Sequence, residues 1–455
     1  MPVIVVPDSA PLVTLPPLTP PPMRDLWQRI RLGFKMPDLQ NKLVDDRTRG
    51  YASQPDYLAR MTQRSSRYLF HIVEEIERRG MPTELALLPF VESAFVPEAL
   101  SSAKAAGLWQ FVPGTGRDYA LEQNMWKDER RDVVESTRAA LDYLQKLHDM
   151  FGDWHLALAS YNWGEGSVSR AIAKNQRAGK PTRYVDLAMP NETQHYVPKL
   201  QAIKNIVAEP DKYGVVLPPI DNAPYFIAVH KTRDIDVHTA AKLAEMKVDD
   251  FRALNPAFNR PIILGAGGGA QLLLPAAKVE RFQANLAAWD STGQPLASWT
   301  TYKTTPADTL AAVAKRVGIG EEQLREANQI PPRYRLAPGS TILIPRDEKM
   351  AVDIPASSLD GRFALVPEES NLRYVTYRVR RGDTVASVAQ RYKVLAKDLI
   401  VWNRLTSSQL FAGQRLELKV PATAARGRVS RAVQAVRKPN MTRSTIRTPA
   451  RTRLH

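Results

Sequence analysis

The chain has 455 residues, a formal net charge of +16 and no cysteine. Its length exceeds what one hydrophobic core ordinarily serves and predicts roughly three domains, while the missing cysteines exclude disulfides, thiolate metal sites and a thiol nucleophile. No run of about 18 apolar residues occurs, which argues against a membrane-spanning helix, and the basic charge suits an anionic partner such as nucleic acid, a membrane surface or a carboxylate-rich cell wall.

Residues 1–23 are predicted to be a proline-rich leader. The sequence Leu-Pro-Pro-Leu-Thr-Pro-Pro-Pro at 15–22 cannot form a helix or an inner strand. The short apolar run at 3–6 has no basic residue before it and no clear cleavage site after it, so it is not a convincing signal peptide. The chain also has no cysteine that could carry a lipid.

Residues 24–215 are predicted to form an all-α domain. Apolar side chains at spacings of three and four over residues 54–79 predict one long helix, which ends at Gly80. Other helices are predicted at 25–32, 82–90, 135–150, 154–161 and 193–207. Aromatic and glycine residues concentrate at the junctions, which is typical both of clefts with rigid walls and of ordinary interhelical turns.

An internal repeat follows the helical domain, with one unit at 300–346, another at 374–421 and a linker at 347–373. An Asp-Thr pair and a later asparagine occupy equivalent positions in both units. At an offset of 75 residues, Asp308, Thr309 and Asn328 match Asp383, Thr384 and Asn403. Each unit is predicted to fold as strand, helix, helix, strand, with the threonine as N-cap of the first helix.

A degenerate third copy of the repeat is predicted at 226–275, within a region of module and linker at 216–298. Asn255 stands where the later asparagine stands in the other units, whereas the Asp-Thr pair is missing. A glycine and alternating aliphatic residues at 269–275 match the last strand of the other units. These matches indicate a worn copy of the same βααβ unit.

The C-terminal residues 422–455 are predicted to be a basic disordered tail, because they show no apolar periodicity. Nine Lys and Arg residues and no acidic residue lie at 426–453, and subtracting these nine charges from +16 leaves +7 for the remainder. The rest of the chain is therefore only mildly basic. No motif that reads DNA or RNA accompanies the tail, so no nucleic-acid partner is predicted.

Glu92 is the candidate catalytic residue, because it follows the apolar run Leu-Leu-Pro-Phe-Val at 87–91. An apolar frame raises the pKa of a carboxyl group and keeps it protonated near neutral pH, as a general acid requires. The alternative is a glutamate on the solvated side of a helix. Amide and phenol side chains that can hydrogen-bond sugars lie at nearby loop junctions, at Gln110, Tyr161, Asn162 and Tyr196.

Aromatic side chains add a second candidate feature of a sugar site. Four tryptophans could stack on sugar faces or belong to the core: Trp109, Trp126, Trp154 and Trp163. Trp154 is interpreted as core, since it lies on an apolar helical face. The seven histidines form no pair with metal-ligand spacing, and the glycine-rich segment at 265–269 opens no helix. No metal or other cofactor is therefore predicted.

Four ordered motifs give the chain a family resemblance. They are Glu-Ser at 92–93, Gly-Leu-Trp-Gln-Phe-Val-Pro-Gly-Thr at 107–115, Ser-Tyr-Asn-Trp-Gly at 160–164 and Glu-Thr-Gln-His-Tyr-Val at 192–197. Together they resemble the lytic murein transglycosylases of the goose-lysozyme-like superfamily, and within them the membrane-bound lytic transglycosylase D group. The repeats resemble LysM modules, and the whole resemblance covers most of 50–421. Ser160 replaces the usual alanine, and Trp109 stands where many members carry methionine.

The resemblance implies an α+β multidomain protein, with an all-α lysozyme-like catalytic domain followed by small βααβ LysM modules. It implies a peptidoglycan lytic transglycosylase that cleaves the MurNAc-β-1,4-GlcNAc bond and leaves 1,6-anhydroMurNAc ends. Glu92 would act as acid and then as base, so that one carboxylate suffices. The substrate-binding residues implied are Ser93 as support for the site, Gln110 and Asn162 as contacts to the sugar, Tyr161 as a flanking residue and Tyr196 as the residue that orients Glu92.

The same resemblance implies the partner and the compartment. LysM modules bind GlcNAc-containing polymer, so the expected partner is the glycan strand of peptidoglycan. That substrate lies in the periplasm or cell envelope, and attachment to a membrane would require a lipoprotein segment before residue 1. Two alternatives are a catalytically silent wall-binding protein, which should lose Glu92 or Tyr161 and Asn162 first, and a hydrolytic muramidase. Hydrolysis would become plausible if Glu165, interpreted as a surface residue, faced Glu92.

Overall fold

The computed structural model describes residues 3–5, 24–265, 270–347, 350, 353–354, 361–367, 372–405 and 407–421. Most of the predicted leader, the segment 266–269, most of the predicted linker and the basic tail lie outside the described residues. The chain divides into two compact units. The first unit comprises Met1–Asn328 and Pro338–Phe363, and the second comprises Gln329–Ala337 and Ala364–His455.

The helical domain at 24–215 lies in the first unit and contains eleven α-helices among its described residues. They are α1 (Leu26–Leu32), α2 (Lys42–Ala52), α3 (Pro55–Ser65), α4 (Leu69–Arg78), α5 (Leu88–Glu92), α6 (Pro113–Asp118), α7 (Val133–Phe151), α8 (Trp154–Trp163), α9 (Glu165–Arg177), α10 (Asn191–Gln194) and α11 (Tyr196–Ala208). Short 3₁₀ helices occur at Thr83–Leu87, Glu129–Arg131, Tyr184–Asp186 and Pro210–Tyr213.

Residues 54–79 form two helices, so the prediction of one long helix is wrong. The hydroxyl groups of Ser65 and Ser66 donate to the carbonyl oxygens of Thr62 and Gln63, at 2.8 Å each. Such local bonds compete with the helical ladder, and the chain turns before Leu69. The periodicity continues through the turn because both helices bury their apolar side chains in the same core.

The core of the helical domain surrounds α5 and α11. Every residue of Thr83–Leu87 is buried, and so are the first three residues of α5. Helix α11 buries nine of its thirteen residues and packs against α2, α5 and α8. A helix that is apolar on most sides belongs in the interior, and the C-terminal end of α5 therefore emerges from the middle of the domain.

The first module, residues 226–290, also lies in the first unit. It contains β2 (Phe226–His230), β3 (Ile235–Asp236), α12 (Val237–Leu243), α13 (Val248–Leu254), β4 (Ile262–Ile263), β5 (Gln271–Pro275) and α14 (Val279–Asp290). Strand β2 runs antiparallel to β5, from Phe226 opposite Pro275 to His230 opposite Gln271. A strand that the leader was not predicted to contain, β1 (Val3–Val5), pairs parallel with β2.

Two more modules follow. The second module comprises β6 (Trp299–Lys303), α15 (Leu310–Arg316), α16 (Glu321–Ala327) and β8 (Thr341–Pro345) in the first unit, with β6 antiparallel to β8. In the second unit, β7 (Tyr334–Leu336) pairs with β9 (Leu365–Pro367). The third module comprises β10 (Leu372–Arg378), α17 (Val385–Tyr392), α18 (Ala396–Trp402) and β11 (Arg415–Pro421), with β10 antiparallel to β11.

One asparagine closes each module in the same way. Its side-chain nitrogen donates to a carbonyl of the last strand, and its side-chain oxygen accepts from the amide of the same strand residue. The pairs are Asn255 with Leu273, Asn328 with Leu343 and Asn403 with Glu417, at 2.6 to 2.8 Å. The predicted N-caps are confirmed, because the hydroxyls of Thr309 and Thr384 accept from the amides of Ala312 and Ser387.

Candidate active site

Glu92 lies at the C-terminal end of α5 and keeps part of its surface exposed. Loss of solvent around the carboxyl group raises its pKa to about 7, although a hydrogen bond from Tyr196 and the positive charge of Lys199 act in the opposite direction. A carboxyl group with this pKa is populated in both protonation states near neutral pH. It can therefore give a proton and take one back without a change of surroundings.

Tyr196 is the side chain that holds Glu92. It begins α11, is buried, and donates its hydroxyl hydrogen to Glu92 Oε1. Burial and the neighbouring carboxylate raise the pKa of Tyr196 well above its usual value, so the hydroxyl keeps its proton and remains a donor. This bond fixes one carboxyl oxygen and leaves Oε2 without a hydrogen bond in the described part of the chain.

Residues 106–111 form a tight turn, called the 106–111 turn below, which binds two candidate residues through its carbonyl groups. Reciprocal hydrogen bonds of 3.0 and 3.1 Å between Ala106 and Phe111 close the turn. The Ser93 hydroxyl donates to the carbonyl of residue 108 at 3.0 Å, and the Tyr161 hydroxyl donates to that of residue 109 at 2.8 Å. Both hydroxyls therefore hold backbone beside the site.

Tyr161 is nevertheless close enough to Glu92 for its ionisation to depend on that carboxylate. Burial is the largest cause of the raised pKa of Tyr161, and the negative charge of Glu92 is the next. The phenol therefore stays neutral, and its ring packs against the core beside the candidate acid.

Gln110 points its amide nitrogen at the backbone of its own loop. Its Nε2 donates to the carbonyl oxygens of Gly107, at 2.8 Å, and Ala99, at 3.3 Å. Its backbone is left-handed, with φ +51°. Gly107 has φ +86°, and a Cβ there would come within 1.8 Å of the Arg130 carbonyl oxygen, so the turn requires glycine. The Gln110 amide oxygen makes no hydrogen bond within the described residues.

Asn162 connects the third and fourth motifs. Its Oδ1 accepts from the hydroxyl of Thr193 at 2.8 Å, which leaves its amide nitrogen without a hydrogen bond among the residues that the structure describes. No direct bond joins Asn162 to Glu92 in the same residues. Asn162 and Gln110 thus keep opposite ends of their amides unused, a donor on Asn162 and an acceptor on Gln110.

Three family models match the chain. The Transglycosylase SLT domain matches residues 71–183, the LysM domain matches 302–345 and 377–419, and the lytic transglycosylase MltD, LysM-like domain matches 225–291. The chain is 36% identical over 409 residues to the membrane-bound lytic murein transglycosylase D of Escherichia coli strain K12, across 88% of this chain and 86% of that protein. The chain belongs to the lytic murein transglycosylase D family.

Two more matches carry related names. The membrane-bound lytic murein transglycosylase C of Glaesserella parasuis serovar 5 is 31% identical over 153 residues, across 30% of this chain and 42% of that protein. The solved structure of an inactive mutant of the lytic transglycosylase Slt from Pseudomonas aeruginosa is 24% identical, covers 33% of this chain and 25% of that chain, and has a TM-score of 0.25.

Membership of the lytic murein transglycosylase D family settles the enzyme class. The protein is a peptidoglycan lytic transglycosylase with an SLT catalytic domain, and its LysM modules are of the kind that binds peptidoglycan. The predicted α+β multidomain fold, with an all-α catalytic domain followed by βααβ modules, is confirmed. In the described part of the chain, every helix is too short or too polar to cross a bilayer.

The structure distinguishes among the four tryptophans for which the sequence left open either sugar stacking or a place in the core. Trp109 is fully buried, with its indole nitrogen donating to the Thr137 hydroxyl at 3.0 Å, and Trp126 is 5% exposed. The Trp109 ring offers no face to a sugar, so the stacking role considered for it is wrong, whereas Trp126 packs in a small buried cluster with Ile262 and Ala297. Trp154 packs on the core as interpreted and stacks on His148, and Trp163 packs on the same core while remaining half-exposed.

Glu165 does not serve as a second carboxylate for Glu92. It begins α9 and accepts hydrogen bonds from Tyr143 at 2.9 Å and Lys146 at 3.1 Å. Burial opposes the ionised form, but a bond from its own backbone amide and these two bonds together lower the pKa of Glu165. Among the described residues, the carboxylate whose charge acts on Glu92 is the exposed Glu192. The arrangement that would favour hydrolysis is therefore not the one that Glu165 adopts.

Two residues that shape the site were missed by sequence reasoning. Thr193 fixes the amide of Asn162, and it could have been found because it lies inside the fourth motif. Arg130 is 7% exposed and donates to the carbonyl of Phe111 at 3.1 Å. It lies outside all four motifs and has no signal in the sequence alone.

Proposed function

We propose that Glu92 is the single catalytic carboxylate of this lytic transglycosylase, and that the enzyme cleaves the β-1,4 bond between MurNAc and GlcNAc. The observation that supports this assignment is the Glu92 carboxyl group with a pKa of about 7, held through one oxygen by the protonated Tyr196. The second oxygen is then the one that faces the glycosidic bond.

The reaction proceeds in two proton transfers. Protonated Glu92 gives its proton to the glycosidic oxygen as the bond to C1 of MurNAc breaks, and the GlcNAc end leaves as an alcohol. The C6 hydroxyl of the same MurNAc then bonds to C1 and gives its proton to the Glu92 carboxylate. The product is a 1,6-anhydroMurNAc end, the carboxyl group is regenerated, and no water is consumed.

Gln110 and Asn162 supply the contacts that orient the sugar. An acetamido group carries one donor and one acceptor, and the amide oxygen of Gln110 and the amide nitrogen of Asn162 are the complementary pair. The acetamido group and Asn162 stabilise the positive charge that develops at C1, a role that a second carboxylate fills in most glycosidases. Ser93 and Tyr161 keep the 106–111 turn beside Glu92 through their bonds to its carbonyl groups.

The remaining assignments concern partner and place. The second and third modules bind the GlcNAc units of the glycan strand and keep the catalytic domain on its polymer. The protein acts in the periplasm or cell envelope, because its substrate lies there and because relatives at 36% and 31% identity are named membrane-bound murein transglycosylases. These relatives motivate the proposed compartment.

Mass spectrometry of products released from purified peptidoglycan sacculi tests the reaction. We expect fragments lighter by one water than the products of hydrolysis, and we expect Glu92→Gln to release none while it still binds sacculi. Hydrated reducing ends would identify a muramidase. Turnover at the wild-type rate in Glu92→Gln would remove Glu92 from the catalytic role.

A further inference from the structure

The first module contacts the catalytic domain along the loop that follows its second helix. The amide of Asp128 donates to the carbonyl of Ala257 at 2.8 Å, and the amide of Asn259 donates to that of Trp126 at 2.8 Å. The Asn259 side chain adds a bond of 3.0 Å to the carbonyl of Asn124 and accepts from Arg131. Phe258 forms an isolated antiparallel bridge with Lys127, so residues 257–259 lie alongside residues 124–128.

The two parts also share apolar core. Phe226, Leu254 and Leu273 of the first module belong to the hydrophobic cluster of the catalytic domain, and the Phe226 ring meets His71 of α4 edge-on at 5.6 Å. Contacts of this extent are those of one folded body. A module that binds polymer at the end of a linker needs none of them.

A surface where the other modules carry an exposed arginine, Arg316 or Arg391, is covered in the first module. In the third module, Tyr377, Asp383 and Arg391 bind one another, and the second module has the same set. When the strands and helices of the modules are aligned, the equivalent positions in the first module are Val229, Ile235 and Leu243. All three are buried. They pack in one cluster with Phe282 and Leu286 of α14, which covers this surface.

Arg130 links the module contact to the active site. Its guanidinium binds both carboxyl oxygens of Asp128, at 2.9 and 2.7 Å, and donates to the carbonyls of Lys104 and Phe111, at 2.7 and 3.1 Å. Gly107 lies directly against the Arg130 carbonyl. Residues 128–130 thus bind the first module through the Asp128 amide and the 106–111 turn through Arg130.

We propose that the first module is a positioning element of the active site, which holds the 106–111 turn in place through Asn259, Asp128 and Arg130. The turn carries Gln110 and binds the hydroxyls of Ser93 and Tyr161. A displaced turn would lower turnover, since small misplacements of catalytic groups cost rate. The consequence for turnover rests on the proposed function, whereas the coupling between module and turn does not.

Two matched variants of the full chain test the coupling. Asn259→Ala removes the side-chain bonds to the Asn124 carbonyl and to the Arg131 guanidinium. Tyr68→Phe removes the bond from the Tyr68 hydroxyl to the carbonyl of Ala253, at 3.0 Å, which joins the same module to the catalytic domain elsewhere. The measurements are amide hydrogen exchange at Ala106 and Phe111, the melting temperature, and kcat and KM on a short soluble glycan fragment.

We expect Asn259→Ala to speed exchange at both amides and to lower kcat about tenfold with little change in KM. Both variants should lower the melting temperature by a similar amount. Tyr68→Phe should change neither the hydrogen exchange of the turn nor kcat. Equal effects of both variants on exchange and kcat would show that the module only adds stability and would overturn the proposal. A wild-type enzyme that forms no anhydro product would contradict the proposed function, and the exchange comparison would still decide the coupling.

Discussion

The first and third modules have the same fold and different surroundings. Both are βααβ units closed by an asparagine on the last strand. The loop after the second helix of the first module is bound to the catalytic domain, whereas the third module exposes large apolar side chains. These are Tyr374, Leu395, Val401 and Phe411, at 73%, 58%, 71% and 67% exposure. Two modules of one fold thus have different surroundings, and the fold alone does not specify their roles.

The hydrogen-bonded set of Tyr377, Asp383 and Arg391 in the third module contains an ionised carboxylate. The Tyr377 hydroxyl, backbone hydrogen bonding and Arg391 hold the pKa of Asp383 at about 2, so this carboxylate stays ionised at any working pH. An ionised group must be solvated or fully paired. In the first module, α14 packs on the equivalent surface. The residues at these positions are aliphatic, so their burial leaves no charge unpaired.

The largest expected effect separates the two modules by deletion. Removing residues 226–290 should unfold the catalytic domain, because each large core side chain lost costs about 2–5 kcal/mol and a domain has only about 5–15 kcal/mol in total. Ending the chain at residue 371 removes the third module and should leave the thermal transition of the catalytic domain unchanged. Circular dichroism melting of the two variants measures the difference. A folded, active protein without residues 226–290 would show that the catalytic domain does not need the first module to fold.

The second prediction concerns the role of the third module in binding. Ending the chain at residue 371 should weaken binding to sacculi by about 10- to 100-fold, because a tethered module raises the effective concentration of the enzyme on a polymer. Turnover of a short soluble fragment should stay the same, since a fragment cannot engage both sites. Sedimentation with sacculi and fragment kinetics measure the two quantities. Equal losses in both would argue against an anchoring role.

The equivalent asparagines give a third, smaller contrast. Asn255→Ala leaves two buried strand groups unpaired, at about 1–3 kcal/mol for each unsatisfied group, and should lower the melting temperature of the catalytic domain. Asn403→Ala acts at a half-exposed site where water can replace the lost bonds, and should cost about 1 kcal/mol in the third module alone. Thermal unfolding followed by hydrogen exchange of each region distinguishes them. A catalytic domain indifferent to Asn255→Ala would show that the first module folds independently.

Part of this contrast could be read from the sequence, and part could not. The repeat, its asparagine and its N-cap threonine all follow from residue type and spacing, because they act within some thirty residues. The packing of the first module against the catalytic domain could not be predicted. In the sequence pattern, Phe226 and Leu273 look like core residues of a small module. Only the fold shows that their neighbours include α4 of another domain.

The candidate site shows the same limit. The structure brings Glu92 and Tyr196 together, and it binds Ser93 and Tyr161 to one turn, as ordered motifs led us to expect of a single site. The buried indole of Trp109 has its hydrogen-bond partner, Thr137, on α7, 28 residues further along the chain. Helix α2 was missed because it buries only Val44 and Thr48 and so has little apolar periodicity.

The pH dependence should also differ between catalysis and anchoring. Burial raises the pKa of Glu92 to about 7, so the proposed general acid is protonated below pH 7 and deprotonated above it, and turnover should fall about tenfold for each pH unit above 7. Binding by the third module should stay constant from pH 5 to 9, because the pKa of Asp383 is about 2. Tyr196→Phe removes a bond that lowers the Glu92 pKa and should move the alkaline limit upward. An unmoved limit would assign the titration to another group.

The smallest expected effect lies at the boundary between α4 and the first module. His71 is buried against Phe226, both its ring nitrogens lack a hydrogen bond in the described residues, and burial lowers its pKa to about 4. Because the folded protein binds a proton here less readily than the unfolded chain, stability should fall as pH drops from about 6.5 to 4. His71→Leu should raise stability by about 1 kcal/mol at pH 7, by removing two unpaired polar atoms, and by more at pH 5. Denaturant unfolding at both pH values measures this, and a gain independent of pH would show that His71 is not protonated on unfolding.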